Sequence, residues 1–203
     1  NTATKIPYKE AINIARLVHD ILVDSCQKIR IAGSVRREKA EVGDIEIVCL
    51  PCSINDYTED LWGKKILTTV RSTEFIHAVK LLGTIKKGDP NTGRYIKIQL
   101  PDDLLNIQVD LFIPQPHDYY RMLAIRTGSA DYSAKVIATA WVRKGWCGTD
   151  DGLRLKSETT QKGDKNVLLP TVKSPTLPPV WTSEQEFFEW LGVEYKEPKY
   201  RNI

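Results

Sequence analysis

The chain has 203 residues, 29 Lys and Arg against 26 Asp and Glu, and 41% apolar side chains, the composition of a folded protein with a sizeable core. A net charge of +3 excludes a polycation that grips nucleic acid by overall charge, so any such contact must come from local clusters. Four cysteines in a chain of this length do not make a disulfide framework. No apolar run approaches the roughly 20 residues of a membrane span, and the opening residues lack the pattern of a secretory signal, so the expectation is an intracellular protein without a membrane partner.

From Pro7 to about Gln27 the residues Ala11, Ile14, Ala15, Val18, Ile21 and Leu22 recur at helical spacing, which predicts a long amphipathic helix. Ile29 to Ala32 and Asp44 to Leu50 read as strands, the first ending at Gly33-Ser34 and the second at Pro51. Residues 53–70 show no clear period, whereas Ser72 to Leu82 reads as a helix stopped by Gly83. After a turn at 89–93, Arg94 to Leu100 and Asn106 to Ile113 alternate with period two and should pair as a hairpin. The segment Pro114-Gln-Pro-His-Asp118 interrupts the pattern and suggests a hinge between two lobes, 1–116 and 117–203. Beyond it, Ser129 should cap a helix reaching about Lys144, with Tyr132, Val136, Ala140 and Trp141 on one face. Strand-like pieces at 153–156 and 167–169 and a helix from Ser183 to about Leu191 complete the chain.

One constellation carries chemistry. Residues i and i+2 of a strand face the same side, so Asp44 and Glu46 present two carboxylates to one point while Ile45, Ile47 and Cys49 face the other way. Two such carboxylates repel unless a hard cation neutralises them, and an all-oxygen donor set suits Mg²⁺ or Mn²⁺. A third acid, Asp110, sits in Asn106-Ile-Gln-Val-Asp-Leu-Phe112, an alternating apolar strand that otherwise has little reason to hold a charge. Three carboxylates on neighbouring strands are able to hold two metals about 3.5–4 Å apart, the arrangement for phosphoryl or nucleotidyl transfer. Gly33 permits close backbone approach to a phosphate, Ser34 offers a hydroxyl, and Arg37 a planar cation for phosphate oxygens. Together these point to a nucleoside triphosphate.

With these residues in view the chain resembles the family X DNA polymerases, the small repair enzymes that include polymerase beta, within the nucleotidyltransferase superfamily. The matches run in order: Gly33-Ser34-Val35-Arg36-Arg37, Gly43-Asp44-Ile45-Glu46, Asp110, Thr127-Gly128-Ser129, and Tyr195-Lys-Glu-Pro198-Lys-Tyr-Arg201-Asn202. The fold this implies is an α/β nucleotidyltransferase-type palm (1–116) followed by an α+β lobe (117–203) that closes over the nascent base pair. The activity it implies is Mg²⁺-dependent addition of deoxynucleoside triphosphates to a primer 3′-hydroxyl in gapped or primer-template DNA, by a monomer using two ions. Asp44, Glu46 and Asp110 become the metal-holding catalytic residues, and Gly33, Ser34, Arg37, Gly43, Thr127, Gly128 and Ser133 the nucleotide contacts. Arg126 and Lys135, with Arg143 and Lys144, become candidates for DNA phosphates.

Three positions depart from the family pattern. Glu46 stands where Asp is usual, Ile125 and Arg126 stand where two aromatic residues usually lie under the incoming sugar, and Ser133 replaces an Asn that reaches the base's minor-groove edge. Nothing before residue 7 resembles the family's lyase and helix-hairpin-helix domains, so no lyase activity and a weak grip on DNA are expected. The connection at 101–105 is short, unlike the long loop of template-independent relatives, which favours a templated reaction. The same palm also serves transfer to RNA, protein or small-molecule acceptors, and a non-catalytic DNA-end binder could keep the fold. Cys49 and Cys52 form one pair without a second and so do not read as a zinc site, and His19 and His117 read as surface or structural. Trp141, Trp146, Trp181 and Trp190 read as core.

Overall fold

The computed structural model describes residues 5–203. A short strand β1 (Ile6–Pro7) leads into helix α1 (Tyr8–Leu22), which buries Ala11, Ile14, Ala15, Val18 and Leu22. The helix ends earlier than its period suggests. A single 3₁₀ turn, Val23–Ser25, closes it, the Ser25 hydroxyl donates to the Leu22 carbonyl at 2.9 Å, and the chain then enters β2 (Cys26–Ile31). Pairing of β2 with a neighbouring strand claims residues that local periodicity assigned to the helix.

A four-residue helix α2 (Gly33–Arg36), β3 (Glu41–Val42) and the long strand β4 (Asp44–Pro51) follow. The segment without a clear period is a β-hairpin, β5 (Ser53–Glu59) with β6 (Lys65–Arg71), whose turn is held by the Asp60 carboxylate accepting from Trp62 N and Lys64 N at 2.9 Å each. Leu61 and Trp62 at its tip face solvent, so the apolar residues that obscured the period do not belong to the core. Helix α3 (Thr73–Leu82) starts where expected, with the Ser72 hydroxyl accepting from Phe75 N. Strands β7 (Thr84–Lys87), β8 (Tyr95–Gln99) and β9 (Gln108–Phe112) complete the first half, and β8 and β9 pair antiparallel as the alternation requires.

The main sheet has the order β2-β4-β9-β8-β7, with β4 and β9 parallel and the other neighbours antiparallel. One face carries Ile45, Ile47, Cys49, Val109, Leu111, Ile96 and Ile98 and packs on the apolar faces of α1 and α3. Each large aliphatic side chain so buried contributes about 1.5–3 kcal/mol relative to exposure. The other face is divided along the strands. Asp44 and Glu46 on β4, and Gln108 and Asp110 on β9, precede Val48, Leu50 and Phe112, which are covered by α4 (Tyr119–Thr127) through Tyr119 and Leu123. The acids therefore sit where the covering helix stops.

The C-terminal part begins with α4 and continues through α5 (Ala130–Tyr132), a π-helical segment Ser133–Ala138 and α6 (Thr139–Arg143), one helical run that the Ser129 hydroxyl caps by accepting from Tyr132 N. A four-stranded sheet of order β11-β10-β13-β12 follows, formed by β10 (Trp146–Thr149), β11 (Gly152–Leu155), β12 (Thr159–Lys162) and β13 (Lys165–Leu168). Sequence pattern revealed parts of β11 and β13 alone, because β10 and β12 are too short and polar to show a period. The last helix, α7 (Glu184–Leu191), is capped by the Ser183 hydroxyl and packs Phe187, Phe188 and Leu191 against Ala124, Tyr132, Ile137, Trp141 and Trp181. Among the described residues no helix is long and apolar enough to cross a membrane.

Candidate functional site

Parallel pairing of β4 with β9 sets Asp44 opposite Gln108 and Glu46 opposite Asp110. Because side chains alternate in both strands, this register turns all four to the same face. The three acids singled out from the sequence are thus brought together on neighbouring strands. Glu46 and Asp110 line one cleft of about 800 Å³ between the main sheet and the C-terminal part, along with Tyr95, Phe112, Met122 and Arg126.

Glu46 packs against α2. A Cβ built on Gly33, whose φ is +62°, would lie 2.0 Å from Glu46 Oε2, so only glycine fits that position. The next residue, Ser34, has a buried hydroxyl oxygen without a hydrogen-bond partner. Arg37, half-buried at the end of α2, donates from Nη1 to the Thr127 carbonyl at 2.7 Å and from Nε to Asn202 Oδ1 at 3.0 Å. Its charge also faces Glu46 and Asp44. Arg36 turns the other way, to Thr127 Oγ1 at 2.7 Å and Glu184 Oε2 at 2.5 Å. Glu184 in turn accepts from the fully buried Arg201 at 2.6 Å. The Gly-Ser-x-Arg-Arg turn therefore does two jobs: its glycine adjoins Glu46, and its arginines tie the first half of the chain to the second.

Asp110 is held on both oxygens. Tyr95 Oη donates to Oδ1 at 2.8 Å, and Gln108 Nε2 reaches Oδ1 and Oδ2 at 3.0 Å each. The Tyr95 ring stacks on Phe112 with centroids 5.3 Å apart, and the Arg126 guanidinium lies 3.9 Å from the Phe112 centroid. Sequence reasoning passed over Tyr95 and Gln108. Gln108 was accessible through the i, i+2 spacing to Asp110, whereas Tyr95 joins the group only through the register of β8 with β9.

The electrostatics match the geometry. Burial, followed by the nearby Asp110, raises the Asp44 carboxyl above its usual range against the opposing charges of Lys97 and Arg37. Burial, followed by the Asp44 charge, pushes Glu46 up to about 7, with Arg126 and Arg37 opposing. Burial, then the hydrogen bond to Asp110, keeps the Tyr95 phenol protonated far above its ordinary range, so it is a permanent donor. Burial lowers Arg126 and Arg37 from the usual guanidinium value while the acids beside them pull in the other direction. Burial and like charge thus raise the proton affinity of Asp44 and Glu46, with Lys97, Arg37 and Arg126 as the opposing charges.

Among the described residues no three His, Cys, Asp or Glu side chains are gathered into a ready-made cage for a metal ion. The hydrogen bonds give the reason: Asp110 is turned toward Tyr95 and Gln108, and Glu46 lies against the Gly33 backbone. The donor chemistry nevertheless fits a hard cation, because mutually repelling, partly buried oxygen ligands are what such an ion neutralises.

The remaining residues of interest fall into place as follows. Gly43 directly precedes Asp44, and a Cβ there would meet only the Lys5 side chain, at 3.9 Å. Thr127 is fully buried and receives both arginines of the Gly-Ser-x-Arg-Arg turn, while Gly128 abuts the Ser133 hydroxyl. Ser133 is buried at the start of the π-helical segment and donates to the Ile125 carbonyl at 2.7 Å, so its hydroxyl is engaged within its own helix. Lys135 is exposed and pairs with Asp131 at 3.0 Å. Arg126 does not extend to the outer surface but lies in the cleft beside Glu46 and Asp110. Of the four tryptophans read as core, Trp141 and Trp181 are buried.

Three comparisons bear on this arrangement. The family described as "DNA polymerase beta thumb" matches residues 122–202. The crystal structure of Leishmania infantum polymerase beta, a ternary P/T complex, superposes with a TM-score of 0.63 at 18% identity, covering 100% of this chain and 78% of that one. At that identity the likeness is one of fold. No curated protein matches the chain by sequence. The resemblance read from the motifs is borne out to this extent: residues 122–202 match the polymerase beta thumb family, and the mixed α/β fold is similar to that of polymerase beta.

Proposed function

We propose that this polymerase beta-like chain is a DNA-directed DNA polymerase of family X, of the small gap-filling type, which adds deoxynucleoside triphosphates to a primer 3′-hydroxyl and releases pyrophosphate. The observation that carries the reading is the convergence of Asp44, Glu46 and Asp110 from two parallel strands onto one face, beside Gly33, Ser34 and Arg37. In this reading residues 1–116 form the palm and 117–203 the lobe that closes over the new base pair. Asp44, Glu46 and Asp110 would hold Mg²⁺, or Mn²⁺ in its place. Bound there, such ions supply charge neutralisation at the attacking and leaving oxygens.

The chain's own residues do the rest. The unpartnered Ser34 hydroxyl, the backbone at Gly33 and Gly43, and the Arg37 guanidinium bind the triphosphate. Arg36 and Arg37 hold Thr127 and Gly128 over the nucleotide, so the two lobes meet at the substrate. Arg94, which lines the same cleft, donates to the Asp150 carbonyl and to Asp151 Oδ1, a second contact between the two halves of the chain. The connection between β8 and β9 is short, a single 3₁₀ turn at Asp102–Leu104, which supports a templated reaction.

Incubation with a single-nucleotide-gapped duplex, Mg²⁺ and each of the four deoxynucleotides is expected to give one templated addition. Labelling of an RNA, protein or small-molecule acceptor instead, or tight DNA binding without product in either metal, would remove the polymerase assignment.

The raised pKa of Glu46 yields a separate expectation. An ordinary glutamate titrates near 4.5, the value of the unfolded chain, and in the folded protein Glu46 titrates at about 7. Its contribution to stability is therefore fully present below 4.5 and is lost as pH rises through 7. Ionising it costs the metal-free fold on the order of 3 kcal/mol, or roughly 10 °C in Tm. Metal binds the ionised form, so Mn²⁺ is expected to raise Tm more at pH 8 than at pH 6. Equal Mn²⁺-induced shifts at the two pH values, measured by differential scanning fluorimetry, would contradict the placement of Glu46 among the ligands.

A further inference from the structure

Asp110 differs from the other two acids in having its carboxylate fixed by neighbouring side chains. A free aspartate turns easily about its last torsion, which is broad and two-fold. Here Oδ1 accepts from both Tyr95 Oη and Gln108 Nε2, whereas Oδ2 accepts from Gln108 alone. A carboxylate offers about four acceptor sites. Three are used, and the one left open is on Oδ2. The phenol that makes this selection is itself held in place: its ring is stacked on Phe112, which is packed under the Arg126 guanidinium, and the Lys87 ammonium lies 5.7 Å from the Tyr95 centroid.

We infer that Tyr95, together with Gln108, is a positioning residue of the site: it fixes the plane of the Asp110 carboxylate and leaves one oxygen, Oδ2, to take a divalent cation. The stack Arg126–Phe112–Tyr95 is the support that holds this orientation, which explains why an aromatic residue lies on the otherwise polar face of β8 beside Lys97 and Gln99. Partners that orient a metal ligand without touching the metal typically change affinity or activity about 10–100-fold when removed. The inference rests on the reading of Asp110 as a metal ligand, and its test separates the two.

Mn²⁺ binding to the full chain is measured by electron paramagnetic resonance for the wild type, Tyr95→Phe, Gln108→Leu and Asp110→Asn, with thermal melting of each. Tyr95→Phe removes one hydroxyl and keeps the ring stack, so it is expected to melt as the wild type does while binding Mn²⁺ about 10–100-fold more weakly. Gln108→Leu should weaken binding in the same direction, and supplies the same test should Tyr95→Phe fold poorly. In primer extension, kcat is expected to fall with little change in KM for the nucleotide, because Ser34 and Arg37, assigned to the triphosphate above, are left untouched. Wild-type Mn²⁺ affinity in both folded variants would overturn the positioning role and leave the metal site standing. Equal Mn²⁺ binding by the wild type and Asp110→Asn would overturn the ligand reading, and this inference with it.

Discussion

Asp110→Asn is expected to abolish primer extension, lowering the rate by about a thousandfold or more, while leaving the fold intact. The amide keeps the shape of the carboxylate and still accepts from Tyr95 and Gln108 on its oxygen, so the packing of β8 on β9 is preserved. It removes a negative charge that raises the proton affinity of Asp44 and Glu46, and the variant should therefore melt no lower than the wild type. Several kcal/mol of transition-state charge stabilisation are lost with a metal ligand, which sets the size of the effect. Single-turnover extension of gapped DNA alongside a melting curve decides the matter. A variant that retains more than about a tenth of the wild-type rate would mean that the chemistry is carried elsewhere.

Glu184→Ala is expected to be the most damaging single change to stability. Glu184 is nearly buried and joins Arg36 of the first half to Arg201 of the C-terminus, with contacts of 2.5 and 2.6 Å. Arg201 has no exposed surface, is sandwiched near the rings of Phe188 and Tyr195, and otherwise binds only the Lys196 carbonyl through Nε. Deleting the carboxylate leaves a buried guanidinium without its counter-charge, a loss of about 3–5 kcal/mol. At this chain length that corresponds to a fall in Tm of roughly 10 °C. Arg201→Met, which removes the charge as well, should be less harmful than Glu184→Ala, because a filled apolar site is tolerated better than an unpaired ion. Equal melting of Glu184→Ala and the wild type would show that the triad contributes nothing.

The fate of Arg36 illustrates how far a sequence reading reaches. From the sequence its nearest acids are Glu38 and Glu41, and pairing with either would leave it a loop residue. In the fold it crosses 148 positions to Glu184, a partner that no local pattern indicates. Thr127 has a similar history: its motif marks it as a nucleotide contact, and its side chain and carbonyl are occupied by Arg36 and Arg37. Trp62 shows where local pattern is silent. The stretch around it shows no clear period in sequence, and the hairpin places it at an exposed tip.

Local patterns alone determined the amphipathic faces of α1 and α3, the caps at Ser72, Ser129 and Ser183, the alternation of β4, β8 and β9, and the identity of three acids on one side of their strands. These depend on residues within a few positions of each other, where helical and extended periods are strict. The end of α1, the short polar strands β10 and β12, the tie from Arg36 to Glu184 and the hold of Tyr95 on Asp110 were decided by tertiary structure. Each arises from strand register or from burial of a charge beside a distant partner, quantities that come into existence only when remote segments pair and exclude water.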